Sequence, residues 1–453
     1  MTRILERFTG DGVGARARRS AVWSFAEFGG QQGLRLASNL VLTRLLFPEA
    51  FGLMALVTVV TAGLSLFSDT GVRGSIIQNA RGDDPDFLDT AWTVQVIRGA
   101  LLWLMTLALA RPVAALYDEP MLAQILPVAG LALLIRGFEP TSIHSVNRHL
   151  ALGRLTRITL GAQAIALVVM ALLAWQLQSV WALVIGGVIA AALKVAAHHL
   201  FLPGIRNRVR LERDAFWQIF HFGKWVFLST AAGFLITQGD RAILGLYISL
   251  ETLGIYNIGF FLASVPMALS RALQQKVVFP LYRMKPPAES AANRAALFRA
   301  RRLIAAGMLA LAVALAFAGP ALVGFLYDPR YEMAGAMITL YALSLVPIIT
   351  LGPVVVQALM GLGDSRRAFF VNALTALLQT GFLVLGVELA GLFGAILAPG
   401  LAMLASYPLR LAYARRYRVW DPVQDLGLLL PALAVCTAAC LLHREAIAAL
   451  LPG

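Results

Sequence analysis

Charged and amide side chains recur at intervals of three and four residues inside segments that are otherwise apolar, and these residues are the candidates for chemistry. In the first segment Glu27, Gln31 and Arg35 follow this spacing, which places them on one face of a helix. A charge within an apolar span is costly and usually faces the protein interior, a partner or water. Four such polar stripes therefore predict a polar cavity. The stripes are Ser24, Glu27, Gln31, Arg35 and Ser38; Thr58, Thr61, Ser65, Asp69 and Arg73; Ser229, Gly233, Thr237, Asp240 and Arg241; and Asn257, Ser264, Arg271 and Gln274.

The composition of the chain indicates a membrane protein. Of its 453 residues, 59% are hydrophobic and 14% are charged, whereas a soluble globular protein carries about 25% charged residues. A helix needs roughly 20 apolar residues to cross the bilayer core, so the sequence predicts an all-α integral membrane protein with about 12–13 transmembrane helices. The predicted spans are 21–46, 51–78, 88–110, 121–146, 157–177, 180–202, 215–247, 252–281, 303–326, 333–361, 367–388, 391–413 and 425–442.

The distribution of Lys and Arg predicts the orientation of the chain. Basic residues concentrate in alternate loops, and such loops stay in the cytoplasm. The basic leader 1–20 and the basic linker 203–214 are therefore predicted to be cytoplasmic, as is the basic loop that begins the segment 414–453, before a further transmembrane helix. The net charge of +14 is explained by contact with anionic lipid headgroups, so a nucleic-acid partner is not indicated.

Three short motifs occur twice, in the same order and about 202 to 210 residues apart. Six predicted spans separate the copies, so both halves enter the membrane in the same direction. This predicts a parallel repeat of two six-helix lobes, 21–202 and 215–413, related by a pseudo-two-fold axis along the membrane normal. Such lobes suggest alternating access to a central cavity. The paired motifs are L-Y-D from Leu116 and Leu326, E-x-x-G from Glu49 and Glu251, and the inner turns Leu150–Arg157 and Met360–Arg367.

The repeat also suggests how some stripe charges are used. It aligns Asp69 with Arg271, so the two are candidates to face each other across the inner part of the cavity, either as a structural salt bridge or as a pair that meets in one state of the cycle. Arg35 is predicted near mid-bilayer, two helical turns from Glu27. An uncompensated cation there costs on the order of 3 kcal/mol, so we expect Arg35 to receive an anion.

Other polar residues in the spans receive structural interpretations. Arg136 and Glu139 are three residues apart and are expected to pair with each other. Arg98 either lines a vestibule of the first lobe or extends to the interface, and the sequence leaves both open. Lys194, His198 and His199 are expected to extend towards the inner interface.

Metal, cofactor and redox chemistry are not indicated. Cys436 and Cys440 lie four apart on an apolar helix, where packing is the simplest role. The sequence has no His-rich metal spacing and no nucleotide-binding loop, so no metal or cofactor is expected. A membrane glycosyltransferase, ligase or polymerase normally needs a sizeable outer loop or domain, whereas the predicted outer loops are short. An enzyme is therefore not favoured.

The stretch Leu42–Gln78 resembles a known family. Its runs L-T-R-L-L-F-P-E-A-F-G-L-M and F-S-D-T-G-V-R-G-S-I-I-Q are similar to the N-terminal signature of Wzx-type oligosaccharide flippases. These form the polysaccharide transporter branch of the multidrug/oligosaccharidyl-lipid/polysaccharide exporter superfamily. The resemblance implies a two-lobe transporter that flips undecaprenyl-diphosphate-linked oligosaccharide from the cytoplasmic to the periplasmic leaflet of a bacterial inner membrane. The products served would be exopolysaccharide, capsule or O-antigen.

The resemblance and the stripes together suggest roles for ten residues. Guanidinium groups present a planar fork to phosphate oxygens, so arginines suit a diphosphate, and amides suit sugar hydroxyls. The expected partners are the lipid-linked oligosaccharide and membrane lipids, with a polysaccharide polymerase and a chain-length regulator as further candidates. The substrate-binding candidates are Arg35, Arg241, Arg271, Gln31, Gln274 and Asn257, and the coupling or gating candidates are Glu27, Asp69, Arg73 and Asp240.

Alternatives remain open at this point. Proton coupling, sodium coupling and uncoupled flipping all fit the carboxylates in the spans. A multidrug exporter of the same superfamily would favour carboxylates and aromatic residues for organic cations, whereas these stripes carry arginines. A lipid II flippase shares the preference for arginine, and the sequence separates it poorly from the main interpretation.

Overall fold

The computed structural model describes residues 13–68, 71–149, 152–284 and 287–451. Over these residues the protein is helical, with no β-strand, which confirms the predicted fold class. The chain forms two compact units, Met1–Ala231 and Ala232–Gly453. The predicted lobe boundaries at 203–214 stay a prediction.

The helices of the first unit follow the predicted spans. The fourth predicted span is broken at Phe138–Thr141, with a bend of 57°. The last helix of this unit continues into the second unit. The helices are α1 (Val13–Leu45), α2 (Pro48–Phe67), α3 (Val72–Gln78), α4 (Pro85–Leu116), α5 (Met121–Gly137), α6 (Ser142–Arg148), α7 (Leu152–Leu177), α8 (Val180–Phe201) and α9 (Arg213–Leu244).

The second unit begins its own set of helices at Leu250. A π-helical turn, Gln274–Val278, interrupts the second span of this unit, and another, Val423–Leu428, precedes its last long helix. The helices are α10 (Leu250–Ala263), α11 (Val265–Leu273), α12 (Phe279–Met284), α13 (Ala291–Leu326), α14 (Met333–Gly361), α15 (Ser365–Ala405), α16 (Tyr407–Arg416), α17 (Leu429–Leu442) and α18 (Arg444–Ala448), with a 3₁₀ turn at Pro329–Tyr331.

The apolar helices are long enough to cross a membrane. Among the described residues, eight helices satisfy the length and hydropathy requirements, and the two bent pairs raise the number to ten. The helix starting at Ser365 counts once but contains a break at Ala390–Gly391, where Gly391 has φ 58°, which glycine adopts without strain. If this helix is counted as two spans, and if α1 and α9, which carry polar stripes, are added to the ten, the number reaches the thirteen predicted segments. The protein is a multi-pass membrane protein.

Close packing of small residues holds α4 against α5 in the first unit. A Cβ atom added at Gly99 would lie 3.0 Å from Cα of Gly137 and 3.1 Å from the carbonyl oxygen of Leu133. Such an approach is possible only where a helix presents no side chain. Dispersion contacts between closely spaced backbones are a main source of association between membrane helices, because lipid removes the hydrophobic advantage.

Helix α14 is the central element of the second unit. In its 18-residue apolar window 65% of the residues are buried, more than in the matching window of any other candidate span of the described chain. Its Leu345, Val346 and Ile349 pack with Ala312 of α13 and Cys436 of α17 in one apolar cluster. Cys436 is thus a free, buried packing residue, as its position on an apolar helix suggested.

The repeated motifs occupy matching positions in the two units. Both L-Y-D runs form the turn after the third span: Asp118 adopts φ 51° there, and Asp328 caps the 3₁₀ turn by accepting a hydrogen bond from the Arg330 N–H. Glu49 and Glu251 lie in the first turns of α2 and α10, where a carboxylate interacts favourably with the helix dipole. The motifs therefore mark equivalent turns and helix starts.

The basic linker between the predicted lobes is bound along α4. The backbone N–H groups of Arg208, Arg210 and Glu212 donate to the side chains of Asp89, Thr93 and Thr90 at 2.9–3.0 Å. Alternate residues of an extended chain point the same way, so every second N–H meets the helix. The linker is therefore part of the first unit rather than a free connection.

An arginine fastens the end of this linker. Arg81 donates two hydrogen bonds to Glu212, each of 2.7 Å, and two to Asp84. The hydrogen bonds from Arg81 lower the pKa of both carboxyls and raise the pKa of Arg81 itself. All three side chains are about one-third exposed, so solvent screens this cluster.

Two structural interpretations of the sequence are wrong in detail. Glu139 pairs with Lys194 at 3.3 Å and with His198 at 3.1 Å rather than with Arg136, because the chain bends after α5 and turns the carboxylate towards α8. His198 does not extend to an interface: it is 1% exposed and its second ring nitrogen contacts the Thr159 hydroxyl at 3.2 Å.

Candidate functional site

The stripe on α1 forms a local polar network. The amide of Gln31 donates to the Glu27 carboxylate at 3.2 Å, and the hydroxyl of Thr156 on α7 donates to the same carboxylate at 3.4 Å. The Arg35 side chain is exposed, and it is not without a contacting partner. Its expected role in receiving an anion stays a prediction.

The stripe on α2 and α3 contributes to a cavity inside the first unit. Asp69 lies outside the described residues, so its expected pairing with Arg271 stays a prediction. Arg73 is exposed and lines a cavity of about 230 Å³ together with Arg98 and Arg136. Arg98 thus lines a cavity of its unit, one of the two roles left open by the sequence. The remaining lining residues are Ser65, Val72, Gln95, Gly99, Leu102, Leu133, Gly137, Glu139 and His144.

A buried hydrogen-bonded chain holds Asp240 in the second unit. Asp240 is 6% exposed, and its Oδ2 accepts a hydrogen bond from the Tyr256 hydroxyl at 2.9 Å. Tyr341 on α14 donates in turn to the Tyr256 hydroxyl. The other carboxylate oxygen, Oδ1, is buried without a hydrogen-bond partner among the described residues. A buried acceptor left unsatisfied is costly, so this oxygen is suited to bind a proton or a cation.

The neighbouring Arg241 is held in a defined orientation. Its Nε donates to Asn257 Oδ1 at 2.9 Å and its Nη1 to Gln238 Oε1 at 3.2 Å. The guanidinium carbon lies 4.5 Å from the ring centroid of Phe260, a cation–π contact. Arg241 is 9% exposed. The structure therefore brings together two predicted substrate-binding residues, Arg241 and Asn257, on adjacent helices.

The last stripe is divided between an exposed and a buried residue. Arg271 is exposed, and its Nη2 contacts the sulfur of Met267 at 3.6 Å. Gln274 is 2% exposed, at the start of the π-helical turn. A π-turn adds one residue to the helical turn and so rotates the following positions, and regular helical spacing does not predict this rotation.

Several residues of these sites were not singled out by the sequence. Tyr256, Tyr341 and Phe260 were given no predicted role, although each contributes to the surroundings of Asp240 or Arg241. Arg136 was assigned to Glu139 and instead faces the cavity. The available signal was its position: three arginines fall in the inner parts of three consecutive predicted spans.

Comparison with known proteins identifies the family. The model of the family described as "Polysaccharide biosynthesis protein" matches residues 41–335. The chain belongs to this family. The match begins at the segment whose residues resemble Wzx-type flippases, and that recognition is confirmed.

Three curated relatives of this chain are named biosynthesis proteins, and one of them is named a transport protein. The succinoglycan biosynthesis transport protein ExoT of Rhizobium meliloti is 22% identical over 377 residues, 81% of this chain and 74% of ExoT. The teichuronic acid biosynthesis protein TuaB of Bacillus subtilis is 19% identical over 70% of this chain and 67% of TuaB. The lipopolysaccharide biosynthesis protein WzxC of Escherichia coli is 21% identical over 55% of this chain and 51% of WzxC.

Solved transporter structures share the fold. The lipid II flippase MurJ in an inward closed conformation matches with a TM-score of 0.72, covering 95% of this chain and 96% of MurJ at 12% identity. An inward-facing multidrug resistance MATE transporter matches with a TM-score of 0.59. The match covers 85% of this chain and 95% of the MATE transporter at 12% identity. At this identity the likeness shows the fold alone.

Proposed function

We propose that this protein flips an undecaprenyl-diphosphate-linked oligosaccharide from the cytoplasmic to the periplasmic leaflet of a bacterial inner membrane by alternating access. The flipped unit serves exopolysaccharide, capsule or O-antigen synthesis. The observation that carries the proposal is membership of the polysaccharide biosynthesis family over residues 41–335, in a chain that retains arginines within its membrane spans. The names of ExoT, a succinoglycan biosynthesis transport protein, and of WzxC, a lipopolysaccharide biosynthesis protein, support it.

The chemistry of the cargo fits the arginines. A diphosphate carries up to two negative charges, and a guanidinium binds phosphate oxygens through a planar pair of donors. Arg241 is fixed by Asn257 and Phe260 before any ligand arrives, so little side-chain entropy is lost on binding. Arg271 is exposed, and Arg35 is the proposed third ligand. Gln31, Asn257 and Gln274 are the proposed partners of sugar hydroxyls.

Coupling is assigned to carboxylates. The unsatisfied Oδ1 of Asp240 is the proposed site for a proton or sodium ion, with Glu27 as a second carboxylate and Asp69 as a gating partner of Arg271. The transporter needs no catalytic residue for this role. The excess of Lys and Arg in alternate loops supports a cytoplasmic N-terminus.

The two rival functions are less well supported. Arginines in the spans repel the organic cations that a multidrug exporter carries. The high TM-score with the lipid II flippase MurJ reflects fold, and the family match is to polysaccharide biosynthesis.

Complementation of a flippase-null strain tests the proposal. Arg241→Ala and Arg271→Ala are expected to abolish surface polysaccharide and to leave lipid-linked intermediate on the inner leaflet, with normal protein abundance in the membrane. Arg271→Lys should recover little, because a point ammonium cannot reproduce the two-pronged contact. The matched control is Arg111→Gln, since Arg111 is exposed at the far end of α4.

Two results would contradict the proposal. Normal polysaccharide export by Arg241→Ala and Arg271→Ala together would show that these residues are not substrate ligands. Purified protein in liposomes that flips lipid II but not an undecaprenyl-diphosphate oligosaccharide would assign the chain to the rival class.

A further inference from the structure

Two aspartates are buried in the connection between α16 and α17 of the second unit. Asp421 is fully buried, and Asp425 is 4% exposed. Asp425 lies in the π-helical turn Val423–Leu428, and Asp421 comes just before it. Removing a carboxylate from water is costly unless hydrogen bonds or a cation replace the water. The partners of the two aspartates therefore indicate in which form each of them is stable.

Asp421 has the partners of an ionised carboxylate. Arg302 on α13 donates from Nε to Asp421 Oδ2 at 2.7 Å and from Nη2 to Oδ1 at 2.6 Å. The backbone N–H of Val423 also donates to Oδ1, at 3.2 Å. A bidentate arginine pair is among the strongest contacts that a carboxylate makes. Asp421 and Arg302 thus compensate each other's charge.

Asp425 has weaker partners at a similar depth. Its Oδ2 accepts one hydrogen bond, at 3.2 Å, from the Tyr407 hydroxyl on α16. Its Oδ1 is buried and has no hydrogen-bond partner among the described residues. An ionised carboxylate held in this way would be a buried charge with one long hydrogen bond, whereas a protonated carboxyl is neutral. The contacts of Asp425 therefore suit the protonated form.

Arg301 acts electrostatically on Asp425, but its hydrogen bonds go to other residues. This side chain of α13 is 1% exposed. Its Nε donates to Gln424 Oε1 at 3.1 Å and its Nη1 to the carbonyl oxygen of Val419 at 2.8 Å. Its Nη2 is buried and has no hydrogen-bond partner in the described part of the chain. One cluster thus contains an unsatisfied donor and an unsatisfied acceptor.

The other helices around this turn supply no further partner for Asp425. Helices α14 and α17 also pack against the turn, and neither contains a charged residue. Arg410 is bound by residues of α14 and α15. Ionised Asp421 opposes a second negative charge nearby, whereas Arg301 favours one. The titratable and charged groups around Asp425 and its partners are Tyr407, Arg410 and Arg415 of α16, Arg301 and Arg302 of α13, Tyr282 of α12, and Asp421.

A proton fits this site better than a metal ion. Hard cations need several oxygen ligands, whereas the other unsatisfied atom of the cluster is a guanidinium nitrogen, which repels a cation. The described residues contain no group of three or more His, Cys, Asp or Glu that could hold a metal ion. A proton needs only one acceptor, and Asp425 Oδ1 is such an acceptor.

We propose that Asp425 is a proton-binding site, and that release of its proton to water closes an ion pair between Asp425 Oδ1 and Arg301 Nη2. While Asp425 is protonated, Arg301 stays bound to Gln424 and Val419, as in this structure. The ionised carboxylate supplies the missing acceptor, and a charge-assisted hydrogen bond to it is stronger than the bond to the neutral amide of Gln424. The proton therefore decides whether Gln424 or Asp425 ties the π-helical turn to α13.

This inference goes beyond the proposed function, which gives Asp425 no role. Infrared spectroscopy of the full-length protein in phosphatidylcholine liposomes tests it. The C=O stretching band of a protonated carboxyl is distinct from the bands of a carboxylate, so the wild-type spectrum minus that of Asp425→Asn isolates this one group at each pH. The matched control is Asp118→Asn, which removes an exposed carboxyl in the turn after α4. Melting temperatures establish whether each variant is folded.

At neutral pH, Asp425→Asn is expected to lose one protonated-carboxyl band, and Asp118→Asn is expected to lose none. Raising the pH should remove this band from the wild type. In Arg301→Gln the band should remain at the same alkaline pH, because the ionised carboxylate has lost its partner.

A second variant, Tyr407→Phe, covers the case in which Arg301→Gln does not fold. It removes the one hydrogen bond to Asp425 Oδ2 without removing a charge. The band should then persist to a pH about one unit higher, a roughly tenfold effect that is expected for a long hydrogen bond to a charged group.

Two outcomes would overturn the inference. One is that Asp425→Asn loses no more of the band at neutral pH than Asp118→Asn, since Asp425 would then be ionised. The other is that the band disappears at the same pH in the wild type and in every folded variant of Arg301 and Tyr407, since neither residue would then act on Asp425. Neither measurement involves flipping or Arg241, so failure of this inference and failure of the proposed function are distinguishable.

Discussion

Substitution of Asn207 by Ala is expected to release the linker that precedes α9. The Asn207 side chain joins three parts of the first unit: its Oδ1 accepts from the Thr141 N–H at 3.0 Å, its amide group bonds to the Thr141 hydroxyl, and its Nδ2 donates to Asp89 Oδ1 at 3.3 Å. Its removal leaves a backbone donor and a buried carboxylate each short of one partner. The other bonds of the linker, from alternate N–H groups, remain.

The size of the effect follows from these bonds. A neutral hydrogen bond contributes about 1 kcal/mol net, and a bond to a charged group about 1.5–3 kcal/mol. The bond to Asp89 is long, so the lower end applies, and the total loss is about 3 kcal/mol. Because each 1.4 kcal/mol corresponds to a factor of about ten, the open linker should become roughly 100-fold more populated.

Limited trypsin digestion measures this population, because the linker contains Arg206, Arg208 and Arg210. Where reclosing is faster than cleavage, the cleavage rate tracks the open fraction. The rate is read at the bond after Arg210, whose flanking residues are unchanged by the substitution. Asn372→Ala, in the second unit, is the matched control. If the linker of Asn207→Ala is cut no faster than that of Asn372→Ala, the bonds of Asn207 do not hold the linker.

Three further predictions concern packing, pH and coupling. Gly99→Leu should lower the stability of the protein by about 1–3 kcal/mol, which would appear as a lower melting temperature in detergent. Gly161→Leu should change the melting temperature little, because nothing lies within 4 Å of a Cβ added there. Equal effects of the two substitutions would contradict the packing argument. The hydrogen bonds from Arg81 lower the pKa of Asp84, so the ionised carboxylate stabilises the fold above its ordinary pKa of 3.8, and this stabilisation is lost as the pH falls through the lower folded-state pKa. Melting temperatures measured against pH should fall in this range for the wild type and change less for Arg81→Gln. An identical pH profile for the two proteins would contradict the prediction. Asp240→Asn should preserve abundance but remove the dependence of flipping on a proton or sodium gradient in proteoliposomes, and a retained dependence would assign coupling elsewhere.

The sequence alone determined the features that depend on local spacing and composition. Apolar length identified the membrane spans, and the break predicted between 388 and 391 coincides with the kink at Ala390–Gly391. Residue order identified the repeat, because the motifs that end in Asp118 and Asp328 both mark the turn after the third span of their half. The signature at Leu42–Gln78 identified the family. These properties lie within one helix or one turn, so no knowledge of neighbouring helices is needed.

Only the tertiary structure decided which side chains meet. A spacing of three residues predicted that Arg136 pairs with Glu139, but the chain bends between them and the Glu139 carboxylate reaches Lys194 and His198 of α8 instead. The arginine cavity, the Tyr341–Tyr256–Asp240 chain and the bound linker likewise join residues that are far apart in sequence. Sequence periodicity gives the face of a residue on its own helix, whereas contact between helices depends on their relative rotation and height. Close glycine contacts, π-turns and bends set these two quantities, and their effects become visible only when the helices are packed together.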